Sequence, residues 1–150
     1  MLQSSLLALS GVYHIKERIF SRLLRANGLE NMSPAQTRIL MALWIQDDVP
    51  VRHLAQLTSL DKSTLSLSLS RMEQNGVILR GGDPVDRRVV RVKLTELGRS
   101  YRSSCDQAMK ELADILYDQI PPDELEMFLS VLRRIFENIS HQEDLLGSAE

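Results

Sequence analysis

A helix followed by a β-hairpin is the pattern that most constrains this chain, and it occupies residues 61–95. Asp61 can cap a helix, and Gly76 can end it at a positive φ angle. The helix carries apolar residues at helical spacing: Leu65, Leu69 and Met72. Two short β-branched runs, 77–79 and 89–92, then flank a Gly-Gly-Asp-Pro turn cluster. The stretch therefore predicts a helix with an antiparallel hairpin, or wing, behind it.

Composition places the whole chain among ordinary globular proteins. Its 150 residues are 43% hydrophobic and 25% charged, which favours one domain with a real core over disorder. The single cysteine, Cys105, excludes an intramolecular disulfide framework and fits a reducing, cytoplasmic compartment. No apolar run approaches the roughly 20 residues of a membrane span, and the apolar N-terminus lacks the basic leader of a signal peptide. We expect no membrane association.

Charge is distributed unevenly along the chain. Residues 1–51 have a net charge of +1, residues 52–102 of +5 and residues 103–150 of −8. The basic third contains the helix and hairpin, and such a concentration is typical of a surface that meets phosphate. A solvated basic face is the alternative. Because the positive charge coincides with the helix and hairpin, we favour a surface that binds nucleic acid.

Helical periodicity accounts for most of the remaining chain. A long helix is predicted over 5–26, and Ser33-Pro34 begins a second one that should end near Asp47. After a short break at 49–51, a brief third helix over 51–58 leads through a tight connection into the helix that begins at Asp61. Two helices joined by a short turn are the helix-turn-helix pattern, in which the second helix enters DNA.

The C-terminal part is predicted to be helical as well. Thr95 can cap a long helix that ends at Ile120, before two prolines, and a last helix should run over about 122–140. The tail from 143 to 150 should fray. The predicted fold class is mainly α with a small β-hairpin: a winged helix-turn-helix over about 32–95, with long flanking dimerisation helices over about 1–30 and 96–150.

The flanking helices carry more apolar surface than a small winged-helix core covers. Packing on their own domain is one possibility. A symmetric homodimer is the interpretation we favour, because a chain of this size cannot easily bury the apolar sides of all three flanking helices internally.

A helical wheel separates the core side of the helix after Asp61 from its outward side. The predicted DNA-contacting residues are Lys62, Ser63, Thr64, Ser66, Leu67, Ser70, Arg71 and Gln74. Small hydroxyl side chains allow close approach to the major groove, and Arg71 can reach a phosphate or a guanine. Leu67 either contacts a thymine methyl or is an ordinary exposed leucine.

The hairpin tip supplies the second predicted DNA contact. Asp86 can orient the guanidinium of Arg88, and an arginine on a thin loop suits the narrow minor groove of A·T-rich DNA. Arg87 is the other candidate, since the register of the hairpin is not fixed by the sequence. An exposed turn without function is the plain alternative, and the consecutive arginines favour the functional interpretation.

Several of these segments together resemble the MarR family of bacterial regulators. The resemblance rests on Asp61-Lys62-Ser63-Thr64, Arg71-Met72-Glu73 with Gly76, Asp86-Arg87-Arg88, and Leu94-Thr95-Glu96-Leu97-Gly98. It implies a winged-helix homodimer on pseudo-palindromic double-stranded DNA, usually a repressor, with the wing aspartate and arginine at Asp86 and Arg88. Leu67 stands where the family often has arginine, which bears on base preference.

The resemblance also implies a sensing role for many relatives. A small organic effector would bind between the DNA-binding and dimerisation regions, flanked here by Tyr13, His14, Arg18, Met41 and Trp44. The first helix has no cysteine, and Cys105 is expected to be a buried, inert thiol. His14, His53 and His141 show no paired ligand spacing, so we predict no metal and no cofactor.

Two other classes of function compete with a DNA-binding regulator. A winged helix can serve as a protein-interaction module, with its basic wing against an acidic partner. An enzyme is disfavoured, because no nucleophile elbow, P-loop, dinucleotide fingerprint or metalloprotease motif is present.

Overall fold

The computed structural model describes residues 2–147, and it is mainly helical with a small antiparallel sheet, which confirms the predicted fold class. The helices are α1 (Leu2–Ala26), α2 (Pro34–Ile45), α3 (Val51–Thr58), α4 (Lys62–Gln74), α5 (Glu96–Ser100), α6 (Arg102–Leu116) and α7 (Pro122–Gly147). The strands are β1 (Val49–Pro50), β2 (Ile78–Gly82) and β3 (Val90–Leu94), in the order β1-β3-β2.

Local sequence signals account for four of the helix ends. At the start of α2, Ser33 and Gln36 form a reciprocal capping box, as the sequence predicts. Asp61 accepts a 2.8 Å hydrogen bond from the Thr64 backbone N–H at the start of α4. Gly28 and Gly76 have φ angles of +80° and +69° and end α1 and α4, a conformation that costs glycine little. These four predictions are confirmed.

The prediction for the segment at 49–51 was wrong in part. Val49 and Pro50 form a short strand that pairs with Val92 and Arg91 of β3, so the sheet has a third strand beside the hairpin. Two residues are too few to show an alternating pattern, and a proline is confined to edge strands, where β1 lies.

The long helix predicted from Thr95 to Ile120 is interrupted at Tyr101, which separates α5 from α6. In a continuous helix the Tyr101 N–H would bond to the carbonyl of Leu97. The hydroxyl of Ser100 donates to that carbonyl instead, at 2.8 Å. Serine side chains compete with the backbone in this way, and here the competition coincides with the break.

The C-terminal boundaries also differ from prediction. Helix α6 ends at Leu116, before Gln119, whose φ of +58° is incompatible with a helix. Helix α7 begins at Pro122 as predicted but continues to Gly147, so the frayed tail predicted from 143 is helical that far. The rest of that prediction, at 148–150, lies outside the described residues.

The chain divides into two compact units, residues 1–112 and 113–150. The first has a contiguous core to which α1–α4, α6 and the sheet contribute, and Leu24, Leu54, Leu69 and Met72 are fully or almost fully buried in it. Burying each such side chain contributes about 1.5–3 kcal/mol. The second unit contains α7, whose apolar residues are largely exposed. The functional division into a region at 32–95 and its flanks stays a prediction.

Candidate nucleic-acid interface

Helix α4 is divided into a buried side and an exposed side, in agreement with the helical wheel. Leu65, Leu69 and Met72 are at most 3% exposed and face the core. The exposed candidates are Lys62, Ser63, Ser66, Leu67, Arg71 and Gln74, while Thr64 and Ser70 are half-buried. The core side therefore fixes which residues the helix presents outward.

The start of α4 is held by one carboxylate. Asp61 accepts from the Thr64 hydroxyl at 2.6 Å and from the Thr64 backbone N–H at 2.8 Å. These two hydrogen bonds favour the charged form and lower the pKa of Asp61. Thr64 is thereby engaged in the cap, which leaves its neighbours Lys62 and Ser63 as the more accessible polar groups of the first turn.

The wing tip presents an oriented arginine. Arg88 donates through Nε to Oδ1 and through Nη2 to Oδ2 of Asp86, both at 3.0 Å. The Arg88 backbone N–H also donates to Asp86 Oδ1 at 3.0 Å. The Arg88 side chain is 90% exposed, so the pair directs the guanidinium while leaving it open to solvent. The predicted pairing is present, and Arg87 beside it is exposed.

A second aspartate, which the sequence did not single out, shapes the tip from inside. Asp83 Oδ1 accepts from the backbone N–H groups of Val85 at 2.8 Å and Asp86 at 3.1 Å. Its other oxygen accepts from Arg91 Nη1 at 3.0 Å. The backbone hydrogen bonds contribute most to a lowered pKa of Asp83, and Arg91 adds to them.

The wing is also attached to α4 by a charged pair. Arg80 of β2 donates through Nε to Glu73 Oε2 at 2.9 Å, and its backbone N–H approaches Oε1 at 3.3 Å. The hydrogen bond from the Arg80 side chain is the main reason that the pKa of Glu73 is lowered. The pairing could not be inferred from spacing, because it depends on how the hairpin folds back against the helix.

The predicted DNA-contacting residues form two groups, both within the unit of residues 1–112. Lys62, Ser66, Asp86 and Arg88 line a groove of about 960 Å³ between α3, α4 and the wing, whose floor is apolar. Arg71 and Gln74 instead line a polar cavity of about 280 Å³ together with the capped start of α2. The structure therefore brings the wing arginine near the first turns of α4 and sets Arg71 at the other end of the helix.

The five predicted effector residues have separate surroundings. Tyr13 and His14 are exposed and contact each other edge to face, with ring centroids 5.4 Å apart, and Arg18 is exposed. Trp44 donates its indole N–H to the carbonyl of Gly98 at 3.2 Å, a hydrogen bond between α2 and α5. Met41 is half-buried. An effector site at these residues remains a prediction.

Cys105 is completely buried, as predicted. Burial raises the pKa of its thiol to about 12, and the nearby Asp106 charge adds to the effect. The reactive thiolate is therefore scarce at neutral pH. Among the described residues no group of three or more His, Cys, Asp or Glu side chains could hold a metal ion. No helix within residues 2–147 is long and apolar enough to cross a bilayer.

An exposed recognition helix behind a short turn, followed by a hairpin with an arginine at its tip, defines a winged helix-turn-helix protein of the DNA-binding class. Residues 32–90 match the family described as MarR. A crystal structure of MarR superposes with a TM-score of 0.72 at 26% identity, covering 89% of this chain and 98% of that one.

Two further comparisons agree with this match. A mutant MarR from E. coli complexed with operator DNA gives a TM-score of 0.73 at 23% identity, over 90% of this chain and 98% of that one. The uncharacterized HTH-type transcriptional regulator YdgJ of Bacillus subtilis (strain 168) is 23% identical over 112 residues, 75% of this chain and 68% of that protein. Residues 32–90 therefore resemble the MarR family, most of the chain has the fold of MarR structures, and the proteins it is similar to are transcriptional regulators rather than enzymes.

Proposed function

We propose that this chain is a cytoplasmic repressor that binds a pseudo-palindromic DNA operator as a homodimer and is released by a small organic molecule. The observation that carries the proposal is the pairing of an exposed polar face on α4 with the oriented Arg88 on the wing. In this assignment α4 enters the major groove and Arg88 enters the adjacent minor groove.

The dimer is supported by apolar surface that each unit leaves exposed. On α1, Leu6, Leu7 and Val12 are 58–75% exposed, and on α7, Met127, Phe136 and Ile139 are 57–71% exposed. Large apolar surfaces left exposed are typical of interaction sites, and a symmetric second copy is the commonest partner. Light scattering at micromolar concentration should give twice the chain mass, and a monomer would contradict the assembly.

Genome-wide mapping of bound DNA tests the operator. We expect discrete sites with two half-sites about one helical turn, or about 34–36 Å, apart. A gel shift with the mapped duplex, against a scrambled duplex of the same composition, then separates specific binding from charge-driven binding. Equal affinity for both duplexes would favour a protein-interaction module.

Repression and release are tested on the same operator. Transcription from the mapped promoter should rise when the gene that encodes the chain is deleted. Compounds related to the products of neighbouring genes should lower operator affinity, and substitutions at Tyr13 or Met41 should reduce that response without changing DNA binding. A fall in transcription on deletion would identify an activator instead.

A further inference from the structure

Arg91 lies at the base of the wing and joins two segments that are far apart in sequence. Its Nε donates to Asp48 Oδ1 at 2.9 Å, and its Nη2 donates to the Asp48 backbone carbonyl. On its other side, Nη1 donates to Asp83 Oδ2 at 3.0 Å. One guanidinium therefore connects the corner before β1 to the start of the wing tip.

The first of these partners, Asp48, has an uncommon backbone conformation. Asp48 has a φ of +55°, an uncommon value for a residue with a side chain. Its neighbour Asp47 accepts from the Leu94 backbone N–H at 2.8 Å and from Arg99 at 2.6 Å, which ties this corner to the other end of β3. The hydrogen bonds of Asp47 therefore anchor residues 47–48, to which the Arg91 side chain is bound.

The second partner connects Arg91 to the tip. Asp83 accepts from the backbone N–H of Asp86, and Asp86 in turn holds the Arg88 guanidinium through two 3.0 Å hydrogen bonds. A continuous chain of hydrogen bonds therefore runs from Asp48 through Arg91, Asp83 and Asp86 to Arg88.

Differences in exposure indicate which links can resist water. The side chains of Arg91 and Asp83 are 28% and 17% exposed, while that of Arg88 is 90% exposed. Partly buried ion pairs are less screened by salt than exposed ones. The Arg91–Asp83 pair should therefore be weakened less by salt than the exposed Arg88–Asp86 pair.

We propose that Arg91 is a positioning residue for DNA binding: through Asp48 and Asp83 it holds the wing tip in the conformation that presents Arg88. This inference rests on the proposed function of the wing. Arg91 itself need not touch DNA. Its removal should leave the core intact, because its hydrogen-bond partners Asp48 and Asp83 lie outside the buried hydrophobic core.

A double-mutant cycle on the mapped operator tests this role. We expect Arg91→Ala to weaken binding about threefold to tenfold, and to cause no further loss in an Arg88→Ala background, because residues in one hydrogen-bonded chain are coupled. Arg91→Lys, which can keep a single ion pair, should recover part of the affinity. Lys93→Ala is the matched control: it removes the same charge two positions along β3, where the described residues offer no ion-pair partner.

Thermal unfolding of each variant separates positioning from folding. If Arg91→Ala lowers the melting temperature, the cycle is run with Arg91→Lys and Asp83→Asn. Losses that add fully in the double mutant, or equal losses for Arg91→Ala and Lys93→Ala, would overturn the clamp while leaving DNA binding intact. Failure of the unmodified chain to prefer any mapped duplex, or full affinity in Arg88→Ala, would overturn the wing assignment and the clamp together.

Discussion

Helix α4 and the wing tip both contribute residues to the proposed DNA-binding surface, but different interactions hold them in place. Leu69 and Met72 of α4 are buried in the core, and apolar burial is insensitive to moderate salt. The tip has no core beneath it: Val85 is 93% exposed, and hydrogen bonds to Asp83 and Asp86 fix its backbone. The orientation of α4 should therefore be fixed by packing in the core, whereas the conformation of the tip should depend on hydrogen bonds to charged side chains.

The largest effect should come from the buried side of α4. Leu69→Ala removes a side chain that is 2% exposed, and the cavity should lower the free energy of unfolding by about 2–5 kcal/mol. Urea denaturation measures this change. Arg87→Ala at the tip is the control and should leave the unfolding midpoint unchanged. A loss of less than about 1 kcal/mol for Leu69→Ala would contradict the packing account.

The exposed side of α4 should affect binding and not stability. Arg71→Ala should weaken operator binding by about 1–3 kcal/mol and relax specificity if Arg71 contacts a base. If it contacts only a phosphate, the loss should be similar for all duplexes and the salt slope should fall by about one contact. Anisotropy titrations at several salt concentrations distinguish the two, and unchanged affinity throughout would mean that Arg71 is outside the interface.

The tip should contribute through Arg88. Arg88→Ala should lower operator affinity about tenfold without changing stability, and more on A·T-rich flanks than on G·C-rich flanks. The narrow minor groove of A·T tracts concentrates negative potential, which explains the difference. Binding is compared on the two duplexes at fixed salt, with circular dichroism as the folding control. Arg87→Ala is measured alongside, and wild-type affinity in both variants would leave the wing as an ordinary turn.

The smallest effect should come from the carboxylate that orients Arg88. Asp86→Asn keeps the size of the side chain and an oxygen acceptor, so we expect a smaller loss than for Arg88→Ala. Hydrogen bonds from Arg88 lower the pKa of Asp86 below its usual value of 3.8. The hydrogen bonds between Asp86 and Arg88 should therefore hold the tip in place above pH 3.8. They should be lost as the pH falls through the lowered pKa of Asp86.

An NMR titration below pH 3.8 can follow the Val85 and Arg88 amides against Leu69. The tip amides should shift first, and simultaneous shifts would argue against a separately held tip.

Local signals made much of the fold predictable. The Ser33 capping box, Gly28, Gly76 and the apolar side of α4 each act within a few residues of sequence, and each was placed correctly. The helical spacing of Leu65, Leu69 and Met72 also predicts which side of α4 is exposed to solvent.

Long-range polar contacts were not predictable in the same way. Asp48 and Arg91 are 43 positions apart and meet only because β1 pairs with β3. From the sequence Asp83 is expected to be a turn residue, since aspartate is common in turns and nothing in its spacing indicates Arg91 as its partner. The break at Tyr101 coincides with a side-chain hydrogen bond from Ser100 to the Leu97 carbonyl, and helical periodicity contains no signal for such a bond.

A crystal structure of the chain bound to its mapped operator would show whether α4 and the wing occupy the two grooves together. We predict α4 in the major groove, with Arg71 or Gln74 within hydrogen-bond distance of DNA. Arg88 should lie in the adjacent minor groove while still paired with Asp86. A complex in which the wing points away from the duplex, or in which α4 touches only the partner chain, would rule out binding by the helix and the wing together.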